Sequence, residues 1–234
     1  MKKILIWIPK KILLLVFVVI TSGAMLGPFI WMLSSSFKPL SELRKFPPHL
    51  IPENFTFANY PQVLKAVPFA RFFFNSIFVA AVVVVVCLFT SSLAGFAFSK
   101  YSFRGRDAMF LIVLSTMMIP FQVIVIPLYI LMKLFGWIDT YWALIVPALN
   151  SAFGIYLMRQ FIKTIPTDMI DAARIDGCSE FGIYRRIIIP LSKPALATLG
   201  LFLFMSNWDS FFWPVIVINR ISMRTLPLGL ALFR

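Results

Sequence analysis

The sequence predicts an all-α polytopic membrane protein. Its 234 residues are 60% hydrophobic and 13% charged, with a mean hydropathy of +0.90; soluble domains run nearer about 45–50% apolar and about 25% charged. Uncharged runs long enough to cross a bilayer recur along the chain, a crossing helix needing about 20 apolar residues. Basic residues collect between those runs. Backbone groups in lipid must be satisfied within the segment, so these runs are helices. They do not alternate as barrel strands would.

The first run, Ile12–Phe37, follows Lys2, Lys3, Lys10 and Lys11. Thr21-Ser22-Gly23-Ala24 resembles a signal-peptide cleavage region, but hydrophobicity resumes through Met25–Leu33, which predicts an uncleaved span. A turn-rich loop, residues 38–71, carries Pro39, Pro47, Pro48, Pro52 and Pro61. The next spans are Phe72–Ser99, Ala108–Met132 and Thr140–Met158, followed by the longest polar loop, residues 159–193. The fifth, Pro194–Asn219, is interrupted only by Asp209. Basic residues favour the side holding the N-terminus, Lys100, Arg104, Arg106 and the 159–193 loop, which places that side in the cytoplasm. One transmembrane domain, 1–234, is expected.

The net charge of +13 reads as topology rather than nucleic-acid binding, because the cations sit in loops. Cys87 and Cys178 have no metal or disulfide spacing, and His49 is the single histidine. No GxxxxGK[ST] string occurs. No catalytic site, metal or cofactor is therefore expected.

The 159–193 loop predicts a helical hairpin. Pro166 fits a helix start, Thr167 can cap it, Asp168 and Asp171 suit its positive end, and Gly177 can end it. Met169, Ala172, Ala173 and Asp176 share one face by i, i+3, i+4, i+7 spacing. Ser179 can cap a second helix, on which Phe181, Tyr184 and Ile188 form an apolar ridge beside Arg185 and Arg186; Pro190 and Pro194 end it. Such a pair either lies on anionic lipid or plugs into a soluble partner.

Asp171-Ala172-Ala173, Gly177 and Pro190 resemble the EAA loop of binding-protein-dependent ABC importer permeases. Met118-Ile119-Pro120, Ile126-Pro127-Leu128-Tyr129, Trp213-Pro214 and Leu226-Pro227-Leu228-Gly229-Leu230 are similar to the carbohydrate branch, in particular its smaller maltose-type subunit. The chain has Asp171 where that family usually has Glu, and Cys178 where Ala is usual. The resemblance implies a type I importer bundle with five spans present and the usual sixth span missing after Arg234. It implies a second homologous permease subunit, two ATP-binding subunits and an extracytoplasmic solute-binding protein as partners, in a bacterial or archaeal plasma membrane. Asp171, Ala172, Ala173, Asp176, Gly177, Phe181, Tyr184, Arg185 and Pro190 would then couple to the ATPase.

Asp209, an acid inside a predicted span, together with Asn207, Trp208, Asn150 and Ser151, forms the candidate solute path. Trp208-Asp209-Ser210 departs from the Trp-Asn-Asp or Trp-Asn-Glu common in the branch. The alternatives are a secondary transporter or channel subunit, for which one intramembrane acid is thin support, or a truncated non-transporting fragment.

Overall fold

The computed structural model describes residues 2–233, with side chains from residue 11 onward. It divides into two compact units, Met1–Val67 and Pro68–Arg234. Among the described residues all regular structure is helical.

The first unit opens with α1 (Lys2–Ser36), apolar on every face through its Lys11–Ser36 stretch, as a lipid-crossing helix must be. Two short helices come next, α2 (Leu40–Leu43) and α3 (Asn59–Ala66). The loop between them closes on an aromatic knot, in which Phe37 stacks on Phe55 with ring centres 4.7 Å apart and meets Phe57 edge-on. The Glu42 carboxylate accepts the backbone N–H groups of Glu53 (2.8 Å) and Asn54 (3.1 Å). These bonds hold its carboxyl below the usual range, the Glu53 amide contributing most.

In the second unit α4 (Phe69–Lys100) is the spine. Around it run α5 (Arg106–Ser115), α6 (Phe121–Leu134), α7 (Tyr141–Ile145), α8 (Ala152–Lys163), α9 (Thr167–Ile175), α10 (Glu180–Ile183), α11 (Ile189–Leu191), α12 (Lys193–Trp208), α13 (Phe212–Val217) and α14 (Leu226–Leu230). Close approach of α4 and α8 depends on small residues. A Cβ built on Gly95 would lie 2.7 Å from the Met158 Cβ and 2.8 Å from the Arg159 nitrogen, the small-residue logic of membrane helix packing. Two apolar clusters divide the spine. Val79, Val83 and Cys87 pack with Leu144, Trp213 and Val217 at one end. Phe96 packs with Met158, Ile170, Ile183, Tyr184 and Leu199 at the other.

Two helices, Lys11–Ser36 and Phe69–Lys100, are long and apolar enough to cross a membrane, and up to five spans result if each bent pair counts as one. The departures from the sequence reading lie in those pairs. Ala108–Met132 is not a straight span: residues 106–118 and 121–134 meet at 96°. Pro120 precedes α6 and cannot donate into a continuous helix, which is the physical reason for the break. Thr140–Met158 is bent by 40° between residues 148 and 152 and extends to Lys163. The carbonyls freed near that bend, Ala148 and Leu149, accept the Cys87 thiol at 3.4 and 3.2 Å. The helix of the fifth run ends at Trp208, and Asp209 is its exposed C-cap.

Candidate functional site: a latched hairpin and an uncharged cavity

The 165–191 hairpin is pinned from inside. Ile165, Ile170 and Ala173 enter the core from its first arm, and Ile183, Tyr184 and Ile188 from its second. Tyr184 Oη and Ser92 Oγ lie 2.7 Å apart in the core, a hydrogen bond from hairpin to spine. This inward face differs from both faces read from sequence. Ala173 and Tyr184 are buried, so neither belongs to the outer surface, whereas Met169, Ala172, Asp176 and Phe181 are exposed. Pro166, not Thr167, occupies the N-cap of α9, and no side chain caps it.

Gly177 ends α9 as expected. At φ +80° it lets its own N–H reach the Arg174 carbonyl (3.0 Å) and the Cys178 N–H reach that of Ala173 (2.9 Å), the paired closure favoured by a left-handed glycine. Ser179 Oγ then accepts the Gly182 N–H at 3.2 Å to start α10. Beyond α10, residues 184–188 widen into a π-turn, with the Ile189 N–H bonded to the Tyr184 carbonyl. Pro190, which donates nothing and crowds the carbonyl four residues back, accounts for that widening.

A polar latch joins the two arms. Arg174 donates to Glu180 at 2.8 and 3.2 Å and to Asp171 at 3.0 Å. The Tyr101 hydroxyl, just beyond α4, donates to the same Glu180 carboxylate. The Arg174 bond, and after it that of Tyr101, holds Glu180 below the usual carboxylate range. Burial, and then the Glu180 bond, push the Tyr101 phenol up to about 12. Arg174, Glu180 and Tyr101 as a unit were invisible in sequence. Asp171 and Arg174 are spaced i, i+3, but nothing in the order of residues brings Tyr101 to them.

The outward face carries Asp168, Met169, Asp171, Ala172, Ile175, Asp176, Phe181, Arg185 and Pro190. Ile175 is 87% exposed and Phe181 60%. These apolar tips sit among Asp168, Asp171 and Asp176 on the first arm and beside the exposed Arg185 and Arg186 on the second.

At the other end of α4 a cavity of about 500 Å³ opens between α6, the 146–151 break, the end of α12, and α13. Asn150, Ser151 and Asn207 line it; Gln122, Ser206, Ser210 and Thr225 join them, with walls of Phe121, Phe211, Phe212 and Trp213. Trp213 is fixed by its indole N–H on the Ala143 carbonyl at 2.8 Å. Trp208 and Asp209 do not line the cavity. Trp208 packs against Phe73 and Phe204, at 5.6 Å from each ring, and Asp209 is exposed past the helix end.

The segment after α13 is tied down from afar. Asn75 Nδ2 donates to the Ser222 (3.0 Å) and Arg224 (2.9 Å) carbonyls, while its Oδ1 accepts the Tyr141 hydroxyl at 2.7 Å. Ser76 Oγ accepts the Leu226 N–H at 2.7 Å. Asp139 takes the Arg220 N–H at 2.8 Å and the Asn219 N–H at 2.5 Å. Burial alone would raise the Asp139 carboxyl, but these bonds outweigh it and leave it lowered.

Helices long and apolar enough to cross a membrane, an exposed hairpin and a cavity lined by amides and hydroxyls fit a membrane transport component. Residues 87–231 match the family described as binding-protein-dependent transport system inner membrane component, and the chain belongs to that family. It is 37% identical to the arabinooligosaccharides transport system permease protein AraQ of Halalkalibacterium halodurans, over 87% of this chain and 74% of that one. Against AraQ of Bacillus subtilis the identity is 36%, covering 94% and 80%. Among solved structures, a bacterial ABC transporter involved in import of the acidic polysaccharide alginate aligns with a TM-score of 0.85 at 29% identity, covering 94% of this chain and 78% of that one.

Proposed function

We propose that the chain is a transmembrane permease subunit of an ATP-driven, binding-protein-dependent sugar importer. It works beside a second homologous permease, two ATP-binding subunits and an extracytoplasmic binding protein. In this reading the N-terminus and the hairpin face the cytoplasm of a bacterial or archaeal cell, as the basic residues suggest. The observation that carries the proposal is the hairpin: rigidly anchored inside, yet presenting exposed Ile175 and Phe181 among Asp168, Asp171 and Asp176. Burying such apolar side chains in a partner's cleft is worth roughly 1.5–3 kcal/mol each.

The chain itself performs no chemistry. Hydrolysis belongs to the ATP-binding subunits, whose closure moves the hairpin as a lever. Because the hairpin is tied to α4 through Ser92 and Tyr101, that motion reaches the spine and shifts the bundle between inward- and outward-open states. The cavity lined by Asn150, Ser151 and Asn207 is this chain's share of the solute path.

Ile175→Glu with Phe181→Glu tests the reading. The double variant is expected to insert and purify like the wild type while losing at least about tenfold of its ATPase capture, since two buried apolar contacts are lost. Undiminished co-purification of the ATP-binding subunit would overturn it.

A further inference from the structure

The loop after α1 folds back along the helix that precedes it. Ser34 Oγ donates to the Leu50 carbonyl and Lys38 Nζ to that of His49. Ser34 lies inside the apolar stretch Lys11–Ser36, whose 26 residues cover about 39 Å at about 1.5 Å each. Centred on a hydrocarbon core of about 30 Å, that stretch leaves roughly three residues at each end among the headgroups. The Leu50 carbonyl therefore sits at the level where headgroups meet acyl chains. Trp31, less than one turn deeper in α1, is a side chain that favours such a boundary. The loop tip bares Phe46, 94% exposed, and Ile51, 77% exposed, with Leu50 half-exposed between them and the helix.

Several polar groups of this loop are met from within, as a poorly hydrated position demands. Pro47, Pro48 and Pro52 have no N–H to satisfy, and the buried Glu42 carboxylate takes the Glu53 and Asn54 N–H groups. Charge supplies a further observation. Glu53 pairs with Lys45 at 2.7 Å and lies 3.6 Å from His49, so both acids of the loop are engaged. Arg44, two residues before Phe46, is exposed and among the described residues pairs with no acid. Apolar tips beside a spare guanidinium match an acyl layer edged by phosphates. We propose that residues 44–51 dock on the bilayer that α1 crosses: Phe46, Leu50 and Ile51 enter the boundary below the headgroups, and Arg44 meets a lipid phosphate. This docking needs only that α1 spans the membrane, and it is independent of the importer reading.

The test uses the assembled transporter in nanodiscs, with a bimane dye on Phe46→Cys, Ile51→Cys or, as a reference within the span, Met32→Cys. Cys178→Ser removes the half-buried native thiol, and Cys87 is buried. Phosphatidylcholine carrying a nitroxide high on its acyl chain should quench all three positions at least about twofold. Aqueous iodide should quench them at least about tenfold less than it quenches bimane-cysteine in solution. Replacing part of the neutral lipid by phosphatidylglycerol should deepen the lipid quenching of Ile51→Cys, and Arg44→Glu should abolish that gain. Iodide quenching of Phe46→Cys or Ile51→Cys near that of the free dye puts the loop in water, and quenching by neither agent puts another protein over it; both results overturn the docking. An unquenched Met32→Cys overturns the lipid-facing span on which the docking rests. A phosphatidylglycerol gain that survives Arg44→Glu, or no gain at all, overturns the Arg44 contact.

Discussion

The two ends of α4 are built by different means. At the hairpin end, residues close in sequence pair with one another, Asp171 with Arg174 and Arg174 with Glu180, and the outer face is left apolar with charges of both signs. At the cavity end, partners are some 150 residues apart. Ser76 and Asn75 reach across to 222–226, and the surface that results is uncharged and recessed. The first arrangement makes a stiff projection to be gripped from outside. The second holds a length of irregular backbone still beside an opening. Short-range ion pairs tolerate exposure to water because each contributes little; buried amide-to-carbonyl bonds cannot be lost so cheaply.

Breaking the shared spine should have the largest effect. Gly95→Leu drives a side chain into the Met158 and Arg159 backbone, a clash between helices that cannot separate in the bundle. Monodisperse protein extracted from membranes should fall to background, and both ends should fail together. Asn75→Leu separates the ends. It strips partners from Ser222, Arg224 and Tyr141 at an expected cost of about 3 kcal/mol, lowering the melting temperature and opening 219–226 to protease. ATPase capture through the hairpin should persist.

The smallest effect belongs to the latch. Arg174 and Glu180 are roughly one-third and one-half exposed, so Glu180→Gln should cost no more than about 1 kcal/mol. Its pH dependence has a definite sign. Glu180's folded pKa lies below the reference 4.5, so the stabilisation is present above that value and lost as pH falls through the lowered one. The melting-temperature gap between wild type and Glu180→Gln should be constant at neutral pH and close on acidification below 4.5.

These ends also differ in how far the sequence disclosed them. Gly177, Ser179 and Pro190 carry backbone instructions that act within a few residues, so the hairpin and its turn were legible. Which face turned inward was not. Ala173 and Tyr184 obey the same helical period as their exposed neighbours, and only the position of α4 decides between them. The 96° break at Pro120 was readable in principle, because proline acts locally, but composition alone merged its two halves into one span. Asp209 stood out as an acid among apolar residues, yet the helix stops one residue before it. Thr225 gave no signal. The segment that carries it is held by Asn75, Ser76 and Asp139, placed far away in the chain.

The widened turn at 184–188 sets the azimuth at which the chain leaves the hairpin, because residues 180–191 and 193–208 meet at 78°. Each residue of an ordinary helix advances the azimuth by about 100°, so deleting a single residue there would restore a regular coil and carry the bend round by more than a quarter revolution, re-aiming α12 away from α4. Leu203 and Asn207 would then leave the cavity wall they now share. The grip at one extremity and the lining at the other thus sit on two limbs of one elbow, and a one-residue slip near Tyr184 would swing the far limb away while leaving every helix whole.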